Sequence, residues 1–325
     1  MNDTTWDGVS ITESAPRGSA IIVRRRTDSG FLYPLMHRAA AESTEYWAWT
    51  PPSGMRQPGE AVHPAALREL AEETGLDSTT IHPVDLGGAH ALWMAEPIDE
   101  STTIRLDPEH DDLRWCTADE AAKLCRPRVV AANITTVDAV PAVHMTFRPL
   151  DDTDFTMLSQ WSHRRHLTPA WFHKTLTARQ AADRYQPCLA DDHPINIHIL
   201  QINGNDAGIA QFATTADLPE YLDATGRPET TTIGFALTDP AWSGRGLGAQ
   251  LIWSILRQLV LPRSPDTDVI ACTAPGNHAS IRALHKAGFT RNNTVDIGGR
   301  SRIVHQFNPG HWMGAPQTPP AATMT

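Results

Sequence analysis

A rigid loop followed by a carboxylate-bearing helix constrains the fold of this chain more than any other part of it. Residues 51–59 contain three prolines and two glycines, and the segment 60–74 is predicted to form a helix that ends at Gly75. Three glutamates of this segment fall at offsets of 0, 3 and 4 residues: Glu69, Glu72 and Glu73. At about 100° per residue, these offsets place the three carboxylates on one helix face.

Three carboxylates on one face repel one another, and a hard divalent cation converts that repulsion into binding. Oxygen ligands suit Mg²⁺ or Mn²⁺. Because Mg²⁺ keeps several waters and favours phosphate oxygens, the predicted substrate class is a diphosphate. Three glutamates alone also suit a solvated acidic helix face, so the surrounding residues decide between these interpretations.

Nine residues at fixed spacing within residues 54–76 favour the metal site. They are Gly54, Glu60, Arg68-Glu69-Leu70, Glu72-Glu73 and Gly75-Leu76. All nine match specified positions of the box of the Nudix hydrolases, which residues 17–138 resemble. The segment Trp49-Thr50-Pro51-Pro52-Ser53-Gly54 is also typical of the family's loop before the helix. The resemblance implies an α/β/α sandwich.

The resemblance also implies which residues act in catalysis. Glu69, Glu72 and Glu73 would bind the metal ions together with the carbonyl oxygen of Gly54. Arg68 and Glu60 would orient these carboxylates. The implied reaction is metal-assisted attack of water on a nucleoside diphosphate linked to a moiety X, which the box does not specify.

Such enzymes often use one more glutamate from a later loop. Glu109, in Pro108-Glu109-His110, is the candidate metal ligand of this kind. An exposed loop charge is the other interpretation of Glu109.

A glycine-rich loop in the second half of the chain predicts another phosphate-binding site. The loop follows a predicted strand, begins a predicted helix and reads Ser243-Gly244-Arg245-Gly246-Leu247-Gly248. Unpaired backbone N–H groups at such a helix N-terminus bind a pyrophosphate, aided by the helix dipole. Alone, the loop also fits a plain loop-to-helix junction, and it lacks the acidic residue that a dinucleotide-binding fold places after the next strand.

Further residues along the chain make the interpretation of the glycine loop more specific. They are Asn277, Ser280 and Lys286-Ala287-Gly288-Phe289. With them, residues 144–307 resemble the GNAT acetyltransferases, and within that superfamily they are similar to aminoglycoside 6'-N-acetyltransferases. The resemblance implies a mixed-sheet α/β fold that binds acetyl-CoA. The loop amides would hold the pyrophosphate, Phe235, Ala236 and Leu237 would hold the pantetheine, and Asn277 would face it.

The sequence departs from the acetyltransferase pattern at three positions. Ser243 replaces the usual Gln or Arg of the loop, Leu284 replaces a tyrosine proposed as the proton donor, and Gly234 replaces an aspartate found in some relatives. His285 and Glu229 are candidate replacements for the acid–base groups. A CoA-binding sensor without turnover is therefore the alternative to an N-acetyltransferase.

An acidic stretch before the predicted CoA strand indicates the acceptor. It contains four carboxylates against one arginine: Asp217, Glu220, Asp223 and Glu229 against Arg227. Negative charge there would attract a polycationic, aminoglycoside-like amine. An ordinary solvated loop explains the same residues.

These features predict two α/β domains and a disordered tail in one bifunctional enzyme. The ranges are 1–138 for the Nudix-like domain, 139–143 for a linker, 144–307 for the GNAT-like domain and 308–325 for the tail. A housecleaning hydrolase of surplus nucleotides, unrelated in function to the second domain, is the rival interpretation of the first.

Charge and cysteine content limit the partners and the compartment. The first 140 residues hold 12 Lys and Arg against 22 Asp and Glu, whereas the remainder holds 15 of each, which argues against nucleic-acid binding. No apolar stretch is long enough to cross a membrane, and the start of the chain lacks the order of a secretory signal. Four scattered cysteines fit reduced thiols, so we expect a cytoplasmic protein.

Overall fold

The computed structural model describes residues 4–5, 8–39, 41 and 45–314, and these divide into two compact units. The first takes in the described residues of Met1–Asp138, Leu261–Thr267 and Asn308–Thr325. The second consists of Ala139–Val260 and Asp268–Phe307. Residues 139–143, the predicted linker, thus belong to the second unit.

The first unit contains two four-stranded sheets and three helices before residue 139. The strands are β1 (Gly18–Ile22), β2 (Arg25–Thr27), β3 (Gly30–Arg38), β4 (Trp49–Thr50), β5 (Ser53–Met55), β6 (Ile81–Asp85), β7 (His90–Ala95) and β8 (His110–Cys116). The helices are α1 (Val62–Thr74), α2 (Ala118–Leu124) and α3 (Arg128–Asp138). One sheet has the order β5-β1-β7-β6, with β1 parallel to β7, and in the other β2, β4 and β8 all pair with β3. This mixture of sheets and helices confirms the predicted α/β class.

Helix α1 carries Glu69, Glu72 and Glu73 and is anchored by its apolar side. Val62, Ala66 and Leu70 are buried, and Gly75 ends the helix with φ of 71°, its N–H donating to the carbonyl of Ala71. Glycine adopts this left-handed conformation without the strain a side chain would add. The helix begins at Val62 rather than at the predicted residue 60, because Glu60 lies in the preceding loop and accepts a hydrogen bond from the Gln57 N–H.

The second unit is a seven-stranded mixed sheet with helices on both faces, which confirms the predicted fold class. Its strands are β9 (Met145–Pro149), β10 (Asn196–Ile202), β11 (Asn205–Thr214), β12 (Thr231–Leu237), β13 (Val269–Thr273), β14 (Thr290–Ile297) and β15 (Arg300–Phe307). They lie in the order β14-β15-β13-β12-β11-β10-β9, and only β12 and β13 are parallel neighbours. Its helices are α4 (Phe155–Ser162), α5 (Ala178–Tyr185), α6 (Pro219–Thr225), α7 (Leu247–Ile255) and α8 (His278–Lys286).

Each face of this sheet has its own apolar core. On one face, α4 and α5 bury Trp161 and Tyr185 against Ile199 and Ile209 of the sheet. On the other face, Trp253 and Phe289 pack against Phe307, with ring centroids 6.2 and 5.1 Å from it. Burying such large side chains on both faces is what holds the sheet and its helices together.

The prediction of a disordered tail is wrong for residues 308–314. A short helix, α9 (Pro309–Met313), follows β15, and the Asn308 side chain caps it by accepting from the His311 N–H at 2.8 Å. Trp312 is only 6% exposed, and α9 packs against α1 within the first unit. The prediction rested on Pro316, Pro319 and Pro320, which follow α9 in the sequence. Pro309 lies at the first helical position, where proline is tolerated. Residues 315–325 of the predicted tail lie outside the described residues.

Among the described residues, none of the helices has the length and apolar character needed to cross a membrane.

Candidate active sites

In the first unit, β5 brings the backbone of Gly54 against the carboxylate of Glu69. Gly54 pairs with Ser19 of β1, which fixes the strand beside the helix. A Cβ atom at position 54 would overlap the Glu69 carboxyl group. Any side chain at position 54 would therefore force the Glu69 carboxyl group to move away from the loop.

Arg68 gathers three of the predicted site carboxylates. Its Nε and Nη2 donate to the two carboxylate oxygens of Glu60 at 2.9 and 3.1 Å. Its Nη1 lies 2.8 Å from Glu69 Oε1 and 2.9 Å from Glu72 Oε2. A planar guanidinium with several donors suits such a fork. Burial opposes ionisation of Glu60, but hydrogen bonds from Arg68 and Gln57 outweigh it and hold the Glu60 pKa below its usual range.

Glu73 is the most buried of the three helix carboxylates, with 8% exposure. Its Oε2 accepts a hydrogen bond from the Ser53 N–H at 2.8 Å. Burial raises the pKa of Glu73 well above its usual range, and the charges of Glu69, Asp107 and Glu109 act in the same direction. Burial likewise raises the pKa of Glu69. Ionisation of these two carboxyl groups is thus disfavoured unless a positive charge lies close to them.

The loop before β8 contributes two further carboxylates near Glu73. Glu109, the predicted additional ligand, is exposed, and its backbone carbonyl accepts from the Ala39 N–H at 2.9 Å. Asp107 was not predicted as a site residue. Its Oδ1 lies 2.7 Å from His110 Nδ1. Their nearness to Glu73 depends on packing between segments more than 30 residues apart, which the spacing of residues along the chain does not reveal.

The donor set of this site fits a hard divalent cation. Carboxylate oxygens are the ligands that Mg²⁺ and Mn²⁺ prefer, and a cation there would offset the charge crowded around Glu73 and Glu69. Within the described part of the chain, no three His, Cys, Asp or Glu side chains are arranged as a metal cluster; the carboxylates pair with Arg68 and with the Ser53 amide instead. The metal roles of Gly54, Glu69, Glu72, Glu73 and Glu109 remain predictions.

In the second unit, the parallel strands β12 and β13 separate along their length. They are paired at Thr231 with Val269 and at Thr232 with Ile270, and the pairing ends there. The following residues of β12 are half-buried, whereas its first three are buried. The two strands therefore diverge beside Phe235, Ala236 and Leu237, the predicted pantetheine-binding residues. The backbone of these three residues does not pair with β13.

The glycine loop lies at the N-terminus of α7 with its backbone accessible. Gly244 and Gly246 have φ of 75° and 80°, a conformation that favours glycine, and Gly246 is the residue before the first helical turn. Ser243, Gly244, Arg245 and Gly246 are exposed. Leu247 is buried and anchors the helix. Such a helix start presents unpaired amides to an anion.

Two more predicted CoA-site residues have structural roles in this unit. A Cβ on Gly248 would lie 2.7 Å from the Ala283 Cβ, so this glycine allows α7 and α8 to pack closely. The Asn277 side chain caps α8 by accepting from the Ser280 N–H at 3.2 Å. The spacing of Asn277 and Ser280 is itself a capping signal that the sequence contains.

His285 and Glu229, the two candidate acid–base groups, lie apart from Gly234, the position where some relatives carry an aspartate. Leu284 is completely buried, and Gly234 pairs with Gln211 of β11. His285 is exposed on α8 and acts electrostatically on His305. His305 and Thr273, hydrogen-bonded at 3.0 Å, lie on the sheet face opposite Gly234 by strand alternation. Glu229 is exposed two residues before β12 begins, at the end where β12 and β13 are paired.

The acidic stretch occupies α6 and its flanks. Its four carboxylate residues are all exposed: Asp217, Glu220, Asp223 and Glu229. The Glu220 carboxylate approaches the turn between β14 and β15, because a Cβ on Gly298 would lie 2.7 Å from Glu220 Oε2. Tyr221 of α6 was not predicted as a site residue, and burial raises its pKa.

Comparison with known families identifies both units. The family model of the NUDIX domain matches residues 15–134, and that of the acetyltransferase (GNAT) domain matches residues 151–297. The chain is 31% identical over 139 residues to the asymmetrical bis(5'-nucleosyl)-tetraphosphatase of Mus musculus, covering 37% of this chain and 91% of that protein.

The second unit has relatives of a different kind. The chain is 25% identical over 154 residues to aminoglycoside N(6')-acetyltransferase type 1 of Klebsiella pneumoniae, covering 46% of this chain and 76% of that protein. A solved structure of aminoglycoside acetyltransferase AAC(6')-Ib in complex with coenzyme A is 23% identical with a TM-score of 0.47, covering 52% of this chain and 96% of that one. The chain therefore belongs to the Nudix hydrolases through its first domain, and the family model places an acetyltransferase (GNAT) domain at residues 151–297.

Proposed function

We propose that the first domain hydrolyses a nucleoside diphosphate linked to a moiety X, with Mg²⁺ or Mn²⁺ bound by Glu69, Glu72 and Glu73. The observation that carries this proposal is the Glu69 carboxylate held against Gly54 beside the buried, amide-bound Glu73. A bound cation would supply charge neutralisation at the phosphate and an activated water.

The protein's own groups position the reaction. Arg68 holds Glu60, Glu69 and Glu72 in fixed orientations, which removes the entropy cost of gathering them during catalysis. Ser53 does the same for Glu73 through its N–H. Glu109 and Asp107 add negative charge that acts on Glu73.

We further propose that the second domain transfers the acetyl group of acetyl-CoA to an amine. The opening between β12 and β13, next to the exposed amides of the glycine loop, supports binding of an extended thiol cofactor with a pyrophosphate end. The exposed carboxylates around α6 support a cationic acceptor. The relative from Klebsiella pneumoniae, by its name an aminoglycoside acetyltransferase, makes aminoglycosides the first acceptors to test.

The hydrolase proposal is tested with dinucleoside polyphosphates and nucleoside diphosphate sugars in the presence of Mg²⁺. Glu72→Gln and Glu73→Gln should each lower the hydrolysis rate by more than about 100-fold, the scale of a misplaced catalytic constellation, and leave the melting temperature within a few degrees. Glu100→Gln, an exposed loop glutamate, is the matched control. Undiminished turnover in both site variants would refute the assignment.

The acetyltransferase proposal is tested by acetyl-CoA binding and by thiol release across an amine panel. Gly246→Trp should abolish binding, because even a Cβ there would lie 2.9 Å from Val140 Cγ2 and an indole would cover the amides. Saturable binding without amine-dependent release would favour the alternative, a CoA-binding sensor attached to a nucleotide housecleaning hydrolase. Retained affinity in the variant would show that the loop is not the binding site.

A further inference from the structure

We propose that Arg56 is a positioning residue of the first domain, and that helix α9, which follows the second unit in the sequence, supports it. The inference rests on the proposed hydrolase function. Arg56 occupies a position that the Nudix box leaves unspecified. Helix α9 lies beyond residues 15–134, which the NUDIX family model matches.

Arg56 is a buried charge that joins separate segments of the backbone. It is only 4% exposed. Its Nη1 donates to the Glu60 carbonyl at 2.7 Å, and its Nε donates to the Pro16 carbonyl at 3.0 Å. Its Nη2 donates to the carbonyl and the hydroxyl of Ser14 at 2.6 and 2.7 Å. Burying a charge costs free energy that an apolar side chain would not cost, so the segments that the guanidinium joins explain its presence better than stability alone.

Arg56 fixes the turn that carries Glu60. The backbone of Arg56 is itself held, because its N–H donates to the Arg17 carbonyl at 2.8 Å and its carbonyl accepts from the Thr12 N–H at 2.9 Å. From this fixed residue, the guanidinium holds the Glu60 carbonyl. The Glu60 carboxylate also accepts from the Gln57 N–H at 3.0 Å. Both the backbone and the side chain of Glu60 are therefore held in place.

The position of Glu60 controls how Arg68 uses its donors. Nε and Nη2 of Arg68 donate to the Glu60 carboxylate, which leaves Nη1 to contact Glu69 and Glu72. If Glu60 moved away, Nε and Nη2 would become available to Glu69 and Glu72 as well. A guanidinium bound more closely to these carboxylates would compete with a divalent cation for the same oxygens. Arg56 thus keeps Glu69 and Glu72 available for the proposed cation.

Helix α9 holds the same backbone segment that Arg56 holds. Arg56 donates to the carbonyls of Ser14 and Pro16. The carbonyl between them, that of Ala15, accepts a hydrogen bond from the His311 imidazole of α9. Helix α9 also packs against α1, the helix that carries the site glutamates. Loss of His311 would therefore loosen the segment to which Arg56 is bonded.

Direct binding of Mn²⁺ to the full-length protein tests this proposal without a substrate. Arg56→Met keeps most of the side-chain volume and removes the donors. It should raise the calorimetric dissociation constant for Mn²⁺ by about 10-fold or more, the range expected when a group that orients metal ligands is removed. In the hydrolysis assay, the Mg²⁺ concentration for half-maximal rate should rise in parallel, and the KM for the substrate at saturating Mg²⁺ should change little.

Arg24→Met is the matched control, because it separates positioning from a merely structural role. Arg24 is another buried arginine of the first unit, 1% exposed, and its guanidinium carbon lies 4.7 Å from the centre of the Phe31 ring. This variant should lower the melting temperature without changing the affinity for Mn²⁺. Wild-type Mn²⁺ affinity in Arg56→Met, or an equal loss of affinity in both variants, would overturn the positioning role.

His311→Ala tests the contribution of α9, and it decides the outcome if Arg56→Met does not fold. Loss of one hydrogen bond that supports the site should raise the dissociation constant for Mn²⁺ by about 5-fold. An unchanged dissociation constant in this variant would overturn the support from α9.

Failure of the proposed hydrolase function gives a different result. Wild-type protein that binds no Mn²⁺ and hydrolyses no diphosphate substrate would refute that function itself, whatever the residue at position 56.

Discussion

Gly54→Ala should nearly abolish hydrolysis without unfolding the first domain. The Cβ of alanine would fall inside the Glu69 carboxyl group, far below the 3.0 Å at which real Cβ contacts begin. The carboxylate must therefore move by about 1 Å or more, because the strand that carries Gly54 is held by its pairing with β1. A misplacement of about 1 Å in a catalytic constellation costs about 100-fold in rate.

The assay compares Mg²⁺-dependent release of nucleotide by wild-type and variant proteins, together with their melting temperatures. We expect kcat to fall by about 100-fold, while the apolar side of α1 keeps the helix folded. Gly59→Ala is the matched control. It adds a Cβ in the same loop where nothing lies within 4 Å, at φ of 79°, so it should cost about 1 kcal/mol of backbone strain and little activity. A Gly54→Ala enzyme with normal turnover would refute the close approach of Glu69 to the loop.

Two further predictions concern stability. Trp312→Ala should destabilise the first unit by about 3–5 kcal/mol, the usual cost of removing a buried tryptophan, as followed by thermal unfolding. Tyr46→Ala, at a residue that is 71% exposed, should change the melting temperature little. Equal melting temperatures for both variants would contradict the packing of α9. Burial lowers the pKa of His305, and the charges of Arg291 and His285 act in the same direction. The neutral form of this histidine therefore stabilises the folded state. That stabilisation is complete above the unfolded pKa near 6.5 and is lost as pH falls through the lower folded pKa. His305→Asn should flatten part of the decline in melting temperature between pH 7.5 and 5.5, and an unchanged slope would count against a buried neutral imidazole.

Local patterns predicted the elements that depend on neighbouring residues. Residues 60–74 were predicted as a helix because their spacing and Gly75 act locally, and α1 differs only in beginning at Val62. The glycine loop was likewise predicted at the start of a helix, and Leu247 begins α7. In both cases the determining interactions lie within one or two helical turns.

Features that depend on distant segments were not predicted. The overlap of position 54 with Glu69 arises from packing of β5 on α1. The approach of Asp107 to Glu73 joins the loop before β8 to α1, more than 30 residues earlier in the chain. Residues 308–314 were expected to be disordered because proline-rich composition was weighed without the burial that Trp312 finds against the first unit.

In the proposed functions, the two domains would bind the same chemical group, a pyrophosphate, by opposite electrostatic means, and this difference explains the different requirements we expect of them. Glu69, Glu72 and Glu73 would repel a phosphate, so the first domain needs a cation between protein and substrate. Exposed amides at the start of α7, with Arg245 beside them, attract a phosphate directly. We therefore expect a metal requirement for hydrolysis but not for CoA binding, because carboxylates would line the first site and backbone amides the second.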